Sequence, residues 1–270
     1  MTITALSIAG SDPSGGAGIQ ADLKAFSALG AYGMSVITAL TAQSTQGVQG
    51  VQAVSVDFVR AQLDAVLADI TPSATKIGML ATAELADAVA GHLPDLDHTV
   101  LDPVMVATSG DRLLDDDALA GVWRAARLAD LITPNLHEAA VMLDVDPAST
   151  VDELADQAKA LLGAGAARVL VKGGHLDADA TDVYADAQRV ELLTAMRINT
   201  ANTHCTGCTL SSAIAALRPR SDDWLAACRE AKTYLTGAIA AADSLGVGQG
   251  HGPVHHFVHL WPSPRKADHA

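Results

Sequence analysis

The segment Asn202-Thr203-His204-Cys205-Thr206-Gly207-Cys208 runs directly into a helical apolar pattern, Leu210, Ala213, Ile214 and Leu217, so the spacing predicts a helix that begins between Thr206 and Cys208. A helix start gathers unpaired N–H donors and the positive end of the helix dipole, which suits a phosphate. The same position suits an ionisable thiol. A second segment, Gly10-Ser11-Asp12-Pro13-Ser14-Gly15-Gly16-Ala17-Gly18, follows a short apolar strand and leads to Asp22. Its glycines let backbone approach a ligand closely, and Asp12 and Asp22 add acceptors for hydroxyl or amine groups. It is not a Walker A loop, because Gly16-Ala17 stands where Lys and Ser/Thr are required, and it does not match the dinucleotide fingerprint.

These loops need elements to hold them. Apolar strands are expected at 5–9, 35–41, 75–77, 99–101, 128–132 and 169–172. Helical stretches fall around 19–29, 57–70, 83–92, 116–126, 151–162 and 224–239. Near-continuous apolar strands alternating with helices indicate an α/β chain whose mostly parallel central sheet is covered on both faces. Residues 182–193 read instead as a hairpin. No linker, composition break or internal repeat interrupts the 270 residues, and one domain is expected over 1–270, with 262–270 a loose tail.

In open α/β sheets ligands sit beyond the carboxyl ends of the strands. Gly10-Ser11-Asp12, Gln43, Gly78-Met79, Asp102-Pro103, Thr133-Pro134-Asn135 and Gly173-Gly174-His175 all fall at such ends. A formal charge of −14 and an aromatic content of 3% argue against nucleic acid, which needs clustered cations or stacking rings. No apolar run is long enough to span a membrane, and no basic region precedes the first apolar segment, so the expectation is a cytoplasmic protein with no membrane partner. The three cysteines are too few for a disulfide framework, and Cys228, in a helical run, reads as a packing residue. His255, His256 and His259 read as part of a polar C-terminal loop rather than as metal ligands.

Taken together, the 9–18 loop, Thr41-Ala42-Gln43, Lys76-Ile77-Gly78-Met79, Leu101-Asp102-Pro103-Val104-Met105, Thr133-Pro134-Asn135, Val171-Lys172-Gly173-Gly174-His175, the 202–213 segment and Gly250-His251-Gly252-Pro253-Val254 resemble the hydroxymethylpyrimidine/phosphomethylpyrimidine kinases of the ribokinase-like superfamily. The resemblance implies a three-layer α/β/α fold and two ATP-dependent phosphorylations in thiamin biosynthesis. The first acts on the alcohol of 4-amino-5-hydroxymethyl-2-methylpyrimidine and the second on the resulting monophosphate. It further implies that Gln43, Asp22, Ala17, Met79 and Val106 bind the pyrimidine. Lys172, Thr203, Asn135 and Asp102 would lie near the nucleotide phosphates, with Glu138 holding Mg²⁺ through water and a monovalent cation as an optional addition. The 248–254 loop would border adenine.

By the same resemblance Thr206, Gly207 and Cys208 are catalytic: their N–H groups hold the transferring phosphoryl oxygens, and Cys208 stands at the position of the general base. A homodimer is also implied. Where the family has Gly-Thr-Gly-Cys, this chain has Cys205-Thr206-Gly207-Cys208. A Cβ is costly where φ is positive, so Cys205 puts the loop conformation in question. It also creates a Cys-x-x-Cys spacing, for which a zinc site or a thioredoxin-like role is disfavoured, and a regulatory disulfide that consumes Cys208 is an open reading. A pyridoxal or pyridoxine kinase, and a pyrimidine-binding protein weakened as a kinase by Cys205, are the alternatives.

Overall fold

The computed structural model describes residues 1–105, 118–174, 176 and 179–261. Val106, His175 and the expected 262–270 tail lie outside the described residues. The strands are β1 (Thr4–Ala9), β2 (Tyr32–Ile37), β3 (Ala39–Ser44), β4 (Gly47–Ala53), β5 (Ala74–Ile77), β6 (Thr99–Leu101), β7 (Leu131–Ile132), β8 (Val169–Val171), β9 (Ala180–Ala185) and β10 (Val190–Ala195). The helices are α1 (Gly18–Ala28), α2 (Val56–Leu67), α3 (Ala83–Ala90), α4 (Ala118–Leu128), α5 (Leu136–Leu143), α6 (Val151–Gly163), α7 (Thr206–Leu217) and α8 (Trp224–Ala240).

Eight strands form one sheet in the order β10-β9-β8-β7-β6-β5-β1-β2. β2 through β8 along that order pair in parallel, and the expected 182–193 hairpin is the antiparallel β9–β10 pair at one edge. Because side chains alternate across a strand, each strand feeds two cores. Ile77, Leu101, Ile132, Val171 and Val183 pack with α2 to α6 on one face. Ala74, Val100, Leu131, Leu170 and Tyr184 pack with α1, α7 and α8 on the other. The α/β/α layering read from the sequence is therefore the observed one. Cys228 is buried in α8, as expected of a packing residue.

Two expected strands differ. The run 35–41 is two elements: β2 ends at Ile37, and β3 leaves the main sheet to pair with β4 as a separate antiparallel ribbon. Thr38 breaks the run, its N–H bonded to Ala9 and its C=O to Val54. The run 128–132 shrinks to Leu131–Ile132, because Leu128 closes α4 and is half exposed. The histidine loop is a third difference: His255 and His256 are buried, and His256 Nε2 lies 3.1 Å from Thr209 Oγ1 of α7. Burial, with help from Lys24 and His255, pushes His256 down to about 3, so it packs as a neutral ring.

Every residue of α7 from Cys208 to Leu217 is buried. The helix that opens the expected phosphate site is thus the central member of its layer, held against α1, α8 and the sheet. Leu217→Ala is expected to cost about 2–5 kcal/mol in urea denaturation. Leu192→Ala, at a side chain 54% exposed, should stay within about 0.5 kcal/mol.

Candidate active site

The loop between β1 and α1 is organised by Asp12. Its Oδ1 accepts from the Ser14 N–H at 2.9 Å and hydroxyl at 2.7 Å, and its Oδ2 from the N–H groups of Gly16 at 3.0 Å and Ala17 at 2.8 Å. Burial works against the charge, but hydrogen bonds from His204, Ser14 and Ala17 win and hold the carboxyl at about 2. Gly18 sits at φ +54°, where a Cβ would fall 2.2 Å from the Gly10 carbonyl oxygen. At Gly16 a Cβ would strike the His204 ring at 2.4 Å. Glycine at these two positions therefore lets the loop fold onto itself and onto the segment before α7.

His204 Nε2 lies 3.3 Å from Asp12 Oδ2 and 3.4 Å from the Gln43 amide nitrogen. A carboxylate only accepts, so Nε2 carries the proton toward Asp12. The other Gln43 contact, from the Thr41 hydroxyl, is also 3.4 Å. With Nε2 protonated the first is a donor facing a donor, and the second is long for a hydrogen bond, which leaves the amide able to give and receive toward a ligand.

Gln43 opens onto a cavity of about 110 Å³. Thr41, Gln43, Val48 and Val51 of the β3–β4 ribbon line it on one side. Asp12, Ala17, Lys76, Met79, His204, Cys205 and Cys208 line it elsewhere. Of the pyrimidine residues implied by the resemblance, Gln43, Ala17 and Met79 meet here. Asp22 does not line the cavity. It is fully buried behind it, with Oδ2 taken by the Ser7 hydroxyl at 2.6 Å and the Lys76 ammonium at 3.0 Å, and Oδ1 by the Ser212 hydroxyl at 2.6 Å.

At the far end of the cavity α7 begins. Cys205 is its N-cap at φ 58° and ψ 39°, so the non-glycine residue does take the left-handed conformation, at a cost of about 1–2 kcal/mol. Among the described residues the N–H groups of Gly207 and Cys208 have no protein acceptor. All three cysteines are free thiols. A hydrogen bond to Cys208, reinforced by burial, pushes the Cys205 thiol well above its ordinary range. A Cβ on Gly207 would come 2.9 Å from Lys172 Nζ, so the bare helix start and the lysine are in direct contact.

Lys172 follows β8 and reaches Asp102 Oδ1 at 2.7 Å and Glu138 Oε2 at 3.9 Å. Asp102, at the end of β6, also accepts from Thr133 Oγ1 at 3.2 Å and from Ser211 Oγ of α7 at 3.3 Å. Burial disfavours the Lys172 ammonium, but Asp102 and Glu138 outweigh it and keep it charged. Asn135 and Glu138 form a capping box on α5: Asn135 Oδ1 accepts from the N–H groups of His137 and Glu138, and Glu138 Oε2 from the Asn135 N–H at 2.7 Å. Burial, against the pull of Lys172 and with Asp102 adding to it, raises Glu138 to about 7. Thr203 is exposed at the rim. The 250–252 part of the loop assigned to adenine packs on the β3–β4 turn and on Asn202, with Gly250 N–H to Thr45 Oγ1 and Gly252 N–H to Asn202 Oδ1.

His204, Lys76 and Ser212 were given no role from the sequence. Nothing local marks them, since their partners Asp12 and Asp22 are 192, 54 and 190 residues away.

The family model described as phosphomethylpyrimidine kinase matches residues 12–255. A hydroxymethylpyrimidine/phosphomethylpyrimidine kinase of Escherichia coli is 54% identical over 263 residues, covering 96% of this chain and 98% of that protein. Among solved structures, a Bacillus subtilis pyridoxal kinase in complex with ADP superposes with a TM-score of 0.88 at 36% identity, covering 96% of this chain and 100% of the other. A phosphomethylpyrimidine kinase of Clostridium difficile gives a TM-score of 0.78 at 40% identity, over 88% and 100% of the two chains.

The raised Glu138 sets a pH dependence. Its folded pKa, about 7, stands above the ordinary 4.5, so the folded chain holds this proton more tightly than the unfolded one. Its contribution to stability therefore falls as pH rises from 4.5 through 7. Glu138→Gln lacks that loss. Its stability relative to the parent chain should climb by about 1–3 kcal/mol over this window and then level off, as read by urea denaturation at a series of pH values.

Proposed function

The chain belongs to the phosphomethylpyrimidine kinase family, and from that membership we infer how its cavity and its α7 start carry out the reaction. It is a kinase that phosphorylates 4-amino-5-hydroxymethyl-2-methylpyrimidine and then the monophosphate, using ATP, in thiamin biosynthesis. The observation that carries the assignment of roles is the meeting of the cavity at Gln43 with the start of α7, where the N–H groups of Gly207 and Cys208 are bare.

Phosphoryl transfer needs alignment and charge stabilisation rather than elaborate covalent chemistry. In our reading Gln43 pairs with the aminopyrimidine edge, because an amide both donates and accepts, while Ala17 and Met79 shape the ring pocket. The acceptor oxygen then lies toward Cys208, which takes its proton as attack proceeds. The N–H groups of Gly207 and Cys208 hold the transferring phosphoryl oxygens, with that of Thr206, which faces the Thr203 carbonyl at 3.4 Å, beside them. Lys172, backed by Asp102, neutralises charge on the nucleotide side, with Asn135 and Thr203 at its margin.

Among the described residues no cluster of three metal-ligating side chains exists, so a divalent ion would not be caged by protein alone. The residues still fit Mg²⁺, which keeps several waters and leans on phosphate oxygens. Glu138 and Asp102 set two buried carboxyl groups around the single Lys172 ammonium. Glu138 would hold the ion through water, and the ion would offset charge on the phosphates. We place the active chain as one kinase domain in a cytoplasmic homodimer.

Pyridoxal phosphorylation is the second reading, favoured by the pyridoxal kinase similarity at a TM-score of 0.88. An ADP-release assay with Mg-ATP compares the pyrimidine alcohol, its monophosphate and pyridoxal, with product masses read in parallel. Turnover of both pyrimidines is expected, and turnover of pyridoxal alone would transfer the function to the second reading. Cys208→Ala should lower kcat by about 10²–10⁴-fold. Gly207→Ala, whose Cβ would press on the Lys172 ammonium at 2.9 Å, should lower it by at least about tenfold.

A further inference from the structure

We propose that Lys76 is the acceptor-side cation of this kinase: its ammonium receives the phosphate of the monophosphate acceptor and thereby sets that acceptor apart from the neutral alcohol. The inference rests on the two-acceptor reading above.

Lys76 projects from β5 and is completely buried, yet it lines the cavity alongside Met79 and Cys208. An ammonium carries three donors. Among the described residues this one has a single acceptor, Asp22 Oδ2 at 3.0 Å. Two N–H groups are thus without a protein partner in a place where unpaired donors are costly. The flank toward Gly78 is kept bare, since a Cβ there would lie 2.8 Å from Nζ.

The pair is also firmly aimed. Asp22 is fixed by Ser7 of β1 and by Ser212 of α7, one helical turn beyond Cys208 on the same face. Burying a lysine and an aspartate together costs several kcal/mol per ion, and an apolar pair of similar size would fill the space as well. Structural need therefore accounts poorly for the charge. Burial opposes it, but Asp22, with smaller help from Cys208, Asp102 and Cys205, keeps Lys76 protonated.

Charge placement completes the argument. Of the described residues lining the cavity, Lys76 is the one lysine or arginine, and Asp12 adds a negative charge. Lys172 faces Asp102 and Glu138 on the other side of Gly207. Lys24 is bound to the Gly15 carbonyl at 2.6 Å and does not line the cavity. An alcohol enters such a cavity without needing a counter-charge. A phosphate monoester brings its own negative charge, and Lys76 is the lysine among the described lining residues that can supply the counter-charge.

The test uses the full chain with Lys76→Met, and with Lys76→Gln, whose amide still donates to Asp22 and protects the fold. Initial rates are measured with Mg-ATP and each acceptor, and folding is checked by thermal melting. For the monophosphate, kcat/KM should fall by about 100-fold or more, mainly through KM, while for the alcohol it stays within about tenfold. Equal losses for both acceptors in a folded variant would reduce Lys76 to a structural role and overturn the proposal, as would unchanged use of the monophosphate. If the unsubstituted chain turned over neither pyrimidine, the two-acceptor reading would fail first and take this inference with it.

Discussion

The second turn of α7 is clamped between two buried lysine–aspartate pairs, and the arrangement of the site depends on that clamp. Ser212 binds Asp22, which holds Lys76, while the adjacent Ser211, whose one hydroxyl proton is shared among the Gly207 and Cys208 carbonyls and Asp102, lies against Asp102, which holds Lys172. Successive serines on a helix point about 100° apart, so one helix can reach an acid on α1 and an acid at the end of β6 at once. Each pair gathers parts of the fold far apart in the chain onto the helix whose N–H groups are left bare. The clamp is electrostatic and sits in a low-dielectric layer, where a charge without its partner is expensive. That cost makes the geometry of the helix start stiff rather than adjustable.

A second acid, Asp12, does for the glycine loop what the clamp does for the helix. Four hydrogen bonds from its own loop close onto one carboxylate, and His204 adds the link to the segment before α7. The loop and the helix start are thus fastened to each other, with the cavity between them. Cys205 is the strained member of this assembly. It holds a conformation that glycine takes without penalty, and its neighbours hold it there: its carbonyl accepts from the Thr209 N–H and hydroxyl at 3.1 Å each. The strain is small beside the burial of α7, so the substitution alters the chemistry of the helix start, adding a thiol beside Cys208, without displacing it.

Much of this was legible in the sequence, and the legible parts share a physical character. The alternation of apolar strands with helices, the β9–β10 hairpin and the start of α7 follow from periodicity and turn chemistry, which act within a few residues. Asn135 and Glu138 stand three apart at a helix start, and they form the capping box that such spacing favours. The β3–β4 ribbon was missed because 35–41 reads as one apolar run, and only the pairing of Thr38 with both Ala9 and Val54 shows where the chain leaves the sheet.

The sequence alone determined the layer architecture, the placement of the polar clusters other than Gln43 at the carboxyl ends of the strands, and the helix start with its thiol. Gln43 lies within β3 of the separate ribbon. Tertiary structure alone decided what those clusters are bound to. Asp22, which the resemblance sent to the substrate, is consumed by Ser7, Lys76 and Ser212, and His204 closes on Asp12 across nearly the whole chain. Periodicity and propensity are local and repeat along the chain, so they can be read in one dimension. Which buried charge meets which is set by how two helical layers pack on one sheet, and that choice exists only once the chain has folded.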